Sequence, residues 1–220
     1  MEEKSMEEIR KTQEASASIN RRYAALRGFD YLSVVAFNKV FLLNALVLDG
    51  RYDVAFYLDA DALVFNFSFS PLQALNSSQL FAVCRGSSDE EDTWDVNDGV
   101  MIWNLKHARA REFSQAWLDK SVIAMLAGRN SDQYELQRLL ESSDREERAR
   151  LYRVYVSQDL AFMNYDGPNV KHFLRSNYTD WTGSEVSARL TMMKQVIDDG
   201  GLRDNLEDFN GLMRLFHVLR

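Results

Sequence analysis

YLDADALVF (residues 57–65) ends an apolar run that begins at Val54 by setting down two carboxylates, Asp59 and Asp61, one residue apart. Successive strand residues point to opposite faces, so positions i and i+2 share a face. Asp59 and Asp61 therefore aim the same way, about 6–7 Å apart on an extended backbone and closer in a turn. Two like charges so placed repel unless something positive stands between them. A strand that is apolar on both faces and then turns acidic belongs to a sheet covered on both sides, with its polar business at one end.

Reading outward from that stretch gives strands alternating with helices. The first segment has Ile9, Ile19, Tyr23 and Leu26 at helical spacings over about Glu2 to Leu26, and stops at Gly28, a suitable C′ residue. YLSVVAF (31–37) reads as a buried strand. Asn38 is placed to cap a helix carrying Val40, Leu43, Val47 and Leu48 that ends near Gly50. After VAFYLD (54–59), QLFAVC (79–84) and GVMIWNL (99–105) read as further strands on either side of the acidic loop SSDEED (87–92). The pattern predicts a helix over Lys106–Ala127 and another over Ser131–Leu140. RLYRVYV (150–156) and NVKHFLR (169–175) are strand candidates, and the part from 184 to 220 reads as helical. The order predicts one α/β domain with a mainly parallel sheet covered by helices. In such sheets ligands bind beyond the carboxyl ends of the strands, where Asp59 and Asp61 stand.

Composition bounds the function. With 46% hydrophobic and 27% charged residues, the 220-residue chain has the make-up of a soluble globular protein of one sizeable domain. Its 33 acidic and 26 basic residues give a net charge of −7, which argues against nucleic acid or an anionic membrane surface as the main partner. No apolar stretch reaches the ~18 residues of a membrane span, and MEEKSMEEIRK is too polar for a signal peptide. The single cysteine, Cys84, lies in an apolar run and reads as a buried thiol. Sequons at Asn66, Asn76 and Asn177 are a faint pointer to the secretory pathway.

By itself Asp-x-Asp is compatible with a simple strand-terminating turn. A calcium loop is excluded, because Leu63 and Val64 stand where its third ligand and its glycine belong. An aspartyl phosphatase also carries the pair after its first strand, but wants Thr or Val where this chain has Leu63. The remaining reading is a nucleotide-sugar site. There a hard divalent cation takes the carboxylates on one side and diphosphate oxygens on the other, and stabilises charge on the departing phosphate.

Tested against that last reading, the chain resembles the GT-A glycosyltransferases, most closely the galactosyl- and xylosyltransferase group and its retaining relatives. The likeness runs from about 18 to 175. NRRYAALRGFD (20–30) is similar to the helix and turn before the second strand, and FNK (37–39) to an aromatic-x-lysine in which Trp is commoner than Phe37. YDVAFYLDADALV (52–64) resembles the metal-binding motif with its approach strand. WDVNDGVMIWN (94–104), SDQ (131–133) and NVKHF (169–173) resemble, in order, the stretch facing the sugar, the start of a helix under the donor, and the strand whose histidine completes the metal shell. Leu174 and Arg175 replace the small residues that usually follow.

The resemblance implies a Rossmann-like GT-A domain with Asp59, Asp61 and His172 as metal ligands. One nitrogen among oxygens favours Mn²⁺ over Mg²⁺. It implies Lys39 beside the donor's phosphate or sugar, and Asn97, Asp98 and Gly99 at the sugar. Asp132 or Gln133 would steady an oxocarbenium-like transition state. It further implies a UDP-sugar or similar nucleotide donor, a glycan or protein-linked acceptor, retention at the anomeric carbon and a Golgi setting. Locally, Asn97-Asp98-Gly99 reads as a turn, Asp132-Gln133 as a helix start, and His107 and His217 as structural residues on helix surfaces. Family members open with a strand that receives the base, which MEEKSMEEIRKTQE does not supply. The expectation is thus a sheet lacking its first strand, in a chain that reads as part of a longer protein. A fold that has lost turnover and only binds its ligand is the competing reading, with the phosphatase behind it.

Overall fold

The computed structural model describes residues 2–32, 38–86, 93–129, 131–155, 168–173 and 185–199. The expected strand core 33–37, the loop 87–92, Leu174-Arg175, Asn177, His217 and the end of the chain from 200 lie outside them.

The first helix, α1, spans Glu2–Arg27. Ile19 and Tyr23 are buried as their spacing predicts, but Leu26 is half exposed. The helix closes on Gly28 at φ 69°, with the Phe29 N–H donating to the Ala24 carbonyl at 2.8 Å, the left-handed stop that glycine adopts without steric cost. Helix α2 (Asn38–Asp49) leads to strand β1 (Val54–Leu58), a short β2 (Ala62–Val64), a single turn α3 (Pro71–Ala74) and β3 (Phe81–Arg85). Strand β4 (Val96–Asn104) follows, then α4 (Ala110–Leu126), α5 (Asp132–Glu141), α6 (Arg145–Leu151), β5 (Tyr152–Tyr155), β6 (Val170–His172) and α7 (Glu185–Asp199).

The protein is a mixed α/β chain, and its described sheets are not mainly parallel. A four-stranded sheet has the order β1-β4-β3-β5, with β1–β4 and β4–β3 antiparallel and only β3–β5 parallel. The reason lies in chain length. About ten residues separate β3 from β4, fewer than the dozen or so that a parallel crossover needs, so β4 doubles back beside its predecessor. With β4 reversed between them, β1, β3 and β5 still point the same way.

Alternation sorts the core onto two faces. Phe81, Val83, Met101 and Trp103 face α2, α4 and α5 through Val40, Leu43, Phe113, Trp117, Leu136 and Leu140. Ala82, Cys84, Val100 and Ile102 face the opposite side, with Phe69, Ala74 and Val170. Burial on both faces is why these strands read as unbroken apolar runs. A third cluster joins α1, β2 and α7 through Ile19, Leu63, Phe173, Met193 and Ile197.

The turn expected at Asn97-Asp98-Gly99 is instead the start of β4. Asn97 pairs with Cys84 of β3, and the register shift between Val83 and Cys84 leaves Asp98 and Gly99 as a bulge on that side, while the Gly99 carbonyl takes the Asp59 N–H on the other. The helix expected from Lys106 starts at Ala110, because the His107 ring holds the preceding turn: its Nδ1 accepts the Arg109 N–H at 3.2 Å. His107 is structural, but in a turn and not on a helix.

The aromatic layer anchors the helix-facing core. Tyr152 stacks on Phe81 at 4.8 Å between centroids, Phe81 on Trp103 at 4.9 Å, and Trp103 lies parallel to Trp117 at 6.0 Å. Trp103→Ala is expected to cost about 3–5 kcal/mol. In thermal unfolding that reads as a melting temperature lower by roughly 6–20 °C.

Candidate metal centre

Strand β1 hands the chain to a tight turn. The Asp59 N–H donates to the Gly99 carbonyl at 2.7 Å, extending the β1–β4 ladder by one residue, and the Ala62 N–H donates back to the Asp59 carbonyl at 2.9 Å. Asp59 and Asp61 are thus brought together by the turn itself. Helix α1 grips it from one side: the Ser16 hydroxyl donates to the Ala60 carbonyl at 2.5 Å, and the Asn20 amide donates to the Ala62 carbonyl at 2.9 Å while accepting the Val64 N–H at 3.0 Å. On the other side β2 pairs with β6 in a register that sets Ala62 opposite His172, and the Phe173 N–H donates to the Asp61 carbonyl at 3.0 Å. A three-residue strand pairing delivers a histidine from more than a hundred residues downstream.

The His172 Nε2 lies 3.2 Å from Asp61 Oδ1 and 4.0 Å from Asp59 Oδ2. One ligand atom from each residue falls within 4.8 Å of the others. Donors each about 2–2.5 Å from a shared ion lie within about 5 Å of one another, so the three residues can hold a metal. His172 is buried, whereas Asp59 and Asp61 keep partial access to solvent. Gly99 forms the floor. A Cβ there would stand 2.2 Å from His172 Cε1 and 2.8 Å from Asp59 Oδ2, so the close approach of β4 to the acidic turn requires glycine.

Beside the triad stands a charge cluster around one buried lysine. Lys39, in the first turn of α2, reaches Asp98 Oδ2 at 2.8 Å and Asp132 Oδ2 at 3.2 Å. Burial alone would lower the pKa of its ammonium, but Asp98, Asp59 and Asp132 together outweigh that and push it up. Burial pushes the Asp98 carboxyl up to about 6 against the pull of Lys39, with Asp132 and Asp59 adding to the rise. Asp132 opens α5 behind an N-cap, Ser131, whose hydroxyl accepts the Tyr134 N–H at 3.1 Å. The Trp117 indole holds the Asp132 carbonyl at 3.1 Å, and Gln133 Oε1 accepts the Asp98 N–H at 3.3 Å. The Asn97 side chain accepts the Gly99 N–H at 3.1 Å, a bond spent within the strand.

The structure thus gathers Asp59, Asp61, His172 and Gly99 into one group, and Lys39, Asp98, Asp132 and Gln133 into a second that shares β4 with it. Sequence reasoning passed over three contributors. Tyr57, two residues before Asp59 on the same strand face, donates its hydroxyl to Asp59 Oδ1 at 2.5 Å and lies under the Lys39 ammonium, 4.9 Å from the ring centre. Burial, then the Asp59 charge, push its phenol up, so it stays a donor. Ser16 and Asn20 carry an i, i+4 signal on one helix face, but nothing in their spacing says which turn they hold. No protein-family model and no curated protein matches the chain.

Two outcomes test the site. Gly99→Ala is expected to abolish whatever divalent-metal binding titration calorimetry finds in the wild type, with about 1–3 kcal/mol of overpacking besides. Lys39→Met is expected to cost about 3–5 kcal/mol by leaving carboxylates buried without their counter-charge. A carboxyl whose folded pKa exceeds its unfolded value loses stability as the pH rises from the unfolded to the folded value. Removing the Lys39 charge lifts the upper end of that window for Asp98, so the penalty read by melting should be larger at pH 8 than at pH 5.

Proposed function

We propose that the chain is a metal-dependent glycosyltransferase that moves a sugar from a nucleotide diphosphate sugar, a UDP-sugar for preference, to an acceptor hydroxyl on a glycan or protein, with retention. We read its α/β domain as a GT-A fold that works in the secretory pathway. The observation that carries this reading is the convergence of Asp59, Asp61 and His172 over Gly99 at the exit of β1, in the order and places that the resemblance implies. The common direction of β1, β3 and β5 supports it, since it puts the strand ends on one side.

A divalent cation at the triad, Mn²⁺ or Mg²⁺, would neutralise charge on the departing diphosphate. The protein's own groups do the rest. Asp132, at the start of α5, offers a carboxylate to the positive charge that develops on the sugar, while Lys39 holds it in place and keeps the paired acids from repelling each other. Gln133 is braced against the backbone of β4 through its amide oxygen, which leaves its side-chain NH₂ to donate to sugar oxygens. Asp98 is committed to Lys39 and serves the charge balance more than the substrate.

A Mn²⁺-dependent titration against a panel of nucleotide sugars, followed by turnover with simple acceptors, tests the proposal and separates an enzyme from a module that only binds. Asp61→Ala is expected to keep the fold, because it relieves like-charge repulsion, and to lose roughly a hundredfold or more in rate. Normal metal-dependent binding or turnover by that variant would refute the assignment. An acid-stable phospho-enzyme formed from small phosphate esters would favour a phosphatase.

A further inference from the structure

We propose that Tyr57 is a positioning residue that sets the metal preference of the site: by occupying one oxygen of Asp59 it makes that residue a one-oxygen ligand and disfavours Ca²⁺. The inference rests on the metal reading given above and concerns how the site chooses its ion.

The two oxygens of Asp59 have different neighbours. Oδ1 takes the Tyr57 hydroxyl at 2.5 Å. Oδ2 is the atom that faces His172 Nε2 at 4.0 Å and lies over Gly99. The phenol therefore decides which oxygen is presented to an ion and which is not. Its own aim is fixed. Tyr57 is anchored in β1 opposite Met101, and its ring is covered by the Lys39 ammonium, itself tethered to Asp98 and Asp132. A cation over the ring face draws electron density from the phenol and makes its O–H a better donor.

Ion chemistry turns this into selectivity. Ca²⁺ takes six to eight oxygens at 2.3–2.6 Å and readily accepts both oxygens of a carboxylate, whereas Mg²⁺ demands a compact octahedron with one oxygen per ligand. Mn²⁺ tolerates the imidazole as well. With Oδ1 held by Tyr57, a two-oxygen grip by Asp59 would make that oxygen share its electron density between the ion and a charge-assisted hydrogen bond and follow the aim of the phenol, which makes it a poor second ligand.

The test compares Mn²⁺ and Ca²⁺ binding, by calorimetry and Mn²⁺ spin resonance without any nucleotide, in wild type and in Tyr57→Phe, Asp59→Asn and Asp59→Ala. The ratio of Mn²⁺ to Ca²⁺ affinity should fall about tenfold or more in Tyr57→Phe, the scale on which groups behind a ligand tune a site. A merely structural tyrosine would weaken both ions alike, and an unchanged ratio overturns the proposal. Asp59→Asn keeps Tyr57 and decides the matter even if Tyr57→Phe does not fold. The phenol pins the amide oxygen and turns the NH₂ towards the ion, so Asp59→Asn should bind Mn²⁺ no better than Asp59→Ala. Clearly better binding by Asp59→Asn overturns the proposal. Absence of Mn²⁺ binding in wild type refutes the metal reading itself and this inference with it.

Discussion

The backbone hydrogen bond from Asp59 to the Gly99 carbonyl is where the architecture of this protein becomes a site. It carries the β1–β4 ladder one residue past the end of the strand and lays the acidic turn directly over a residue without a side chain. Everything else converges on that junction: β6 brings the imidazole, α1 holds the turn, and α2 and α5 add their charged residues along the neighbouring stretch of β4. Were β4 one residue out of register, a side chain would stand in the way and the strand's faces would exchange.

Charge shapes the second group as backbone geometry shapes the first. Removing an ion from water costs several kcal/mol, and a lone buried ammonium would shed its proton or find a partner. Lys39 has Asp98 and Asp132 within ion-pair distance and feels Asp59 as well. The opposition of burial and attraction is unequal among the partners. Asp98 is the most deeply buried, and that burial pushes its carboxyl up, while Asp132 is more exposed and stands at a helix start, a place that favours negative charge.

Much of this was legible in the sequence, and the failures have physical causes. The apolar runs located β1, β3 and the later part of β4, because packing on both faces leaves no polar interruption there. The glycine after α1 and the acid that opens α5 marked their ends through local chemistry alone. Of the site residues only the acidic pair was recognisable by type, as two carboxylates ending a buried strand; His172, Lys39 and the residues of β4 and α5 stood out only through the resemblance. Pairing was not legible. Periodicity says that a segment is a strand and nothing about its neighbour, so β4's reversal between β1 and β3 had to come from a connection too short to cross over. Short β2 and α3 fell below the length at which a period can be read. Asn97-Asp98-Gly99 has turn composition and lies where β4 bulges between Asn97, paired with β3, and Val100, paired with β1, so the local bond from the Gly99 N–H to the Asn97 side chain persists within a strand. Tyr57 looked like core, and its ring is; only the hydroxyl has another task.

The grip of α1 on the acidic turn has a consequence for the order of assembly. Asn20 bonds to residues 42 and 44 positions away, and Asn66 to Asn169 across 103. Closing such spans costs more chain entropy than forming a hairpin or a helix, and contacts of large sequence separation slow folding. The β3–β4 pair and the helices packed on it can form from near neighbours, but the turn with Asp59 and Asp61 acquires its shape only when segments from both ends of the described chain have arrived. The site is therefore completed among the last things to fold, and an ion that needs all three ligands meets only the finished protein, where its binding adds to the stability of the whole.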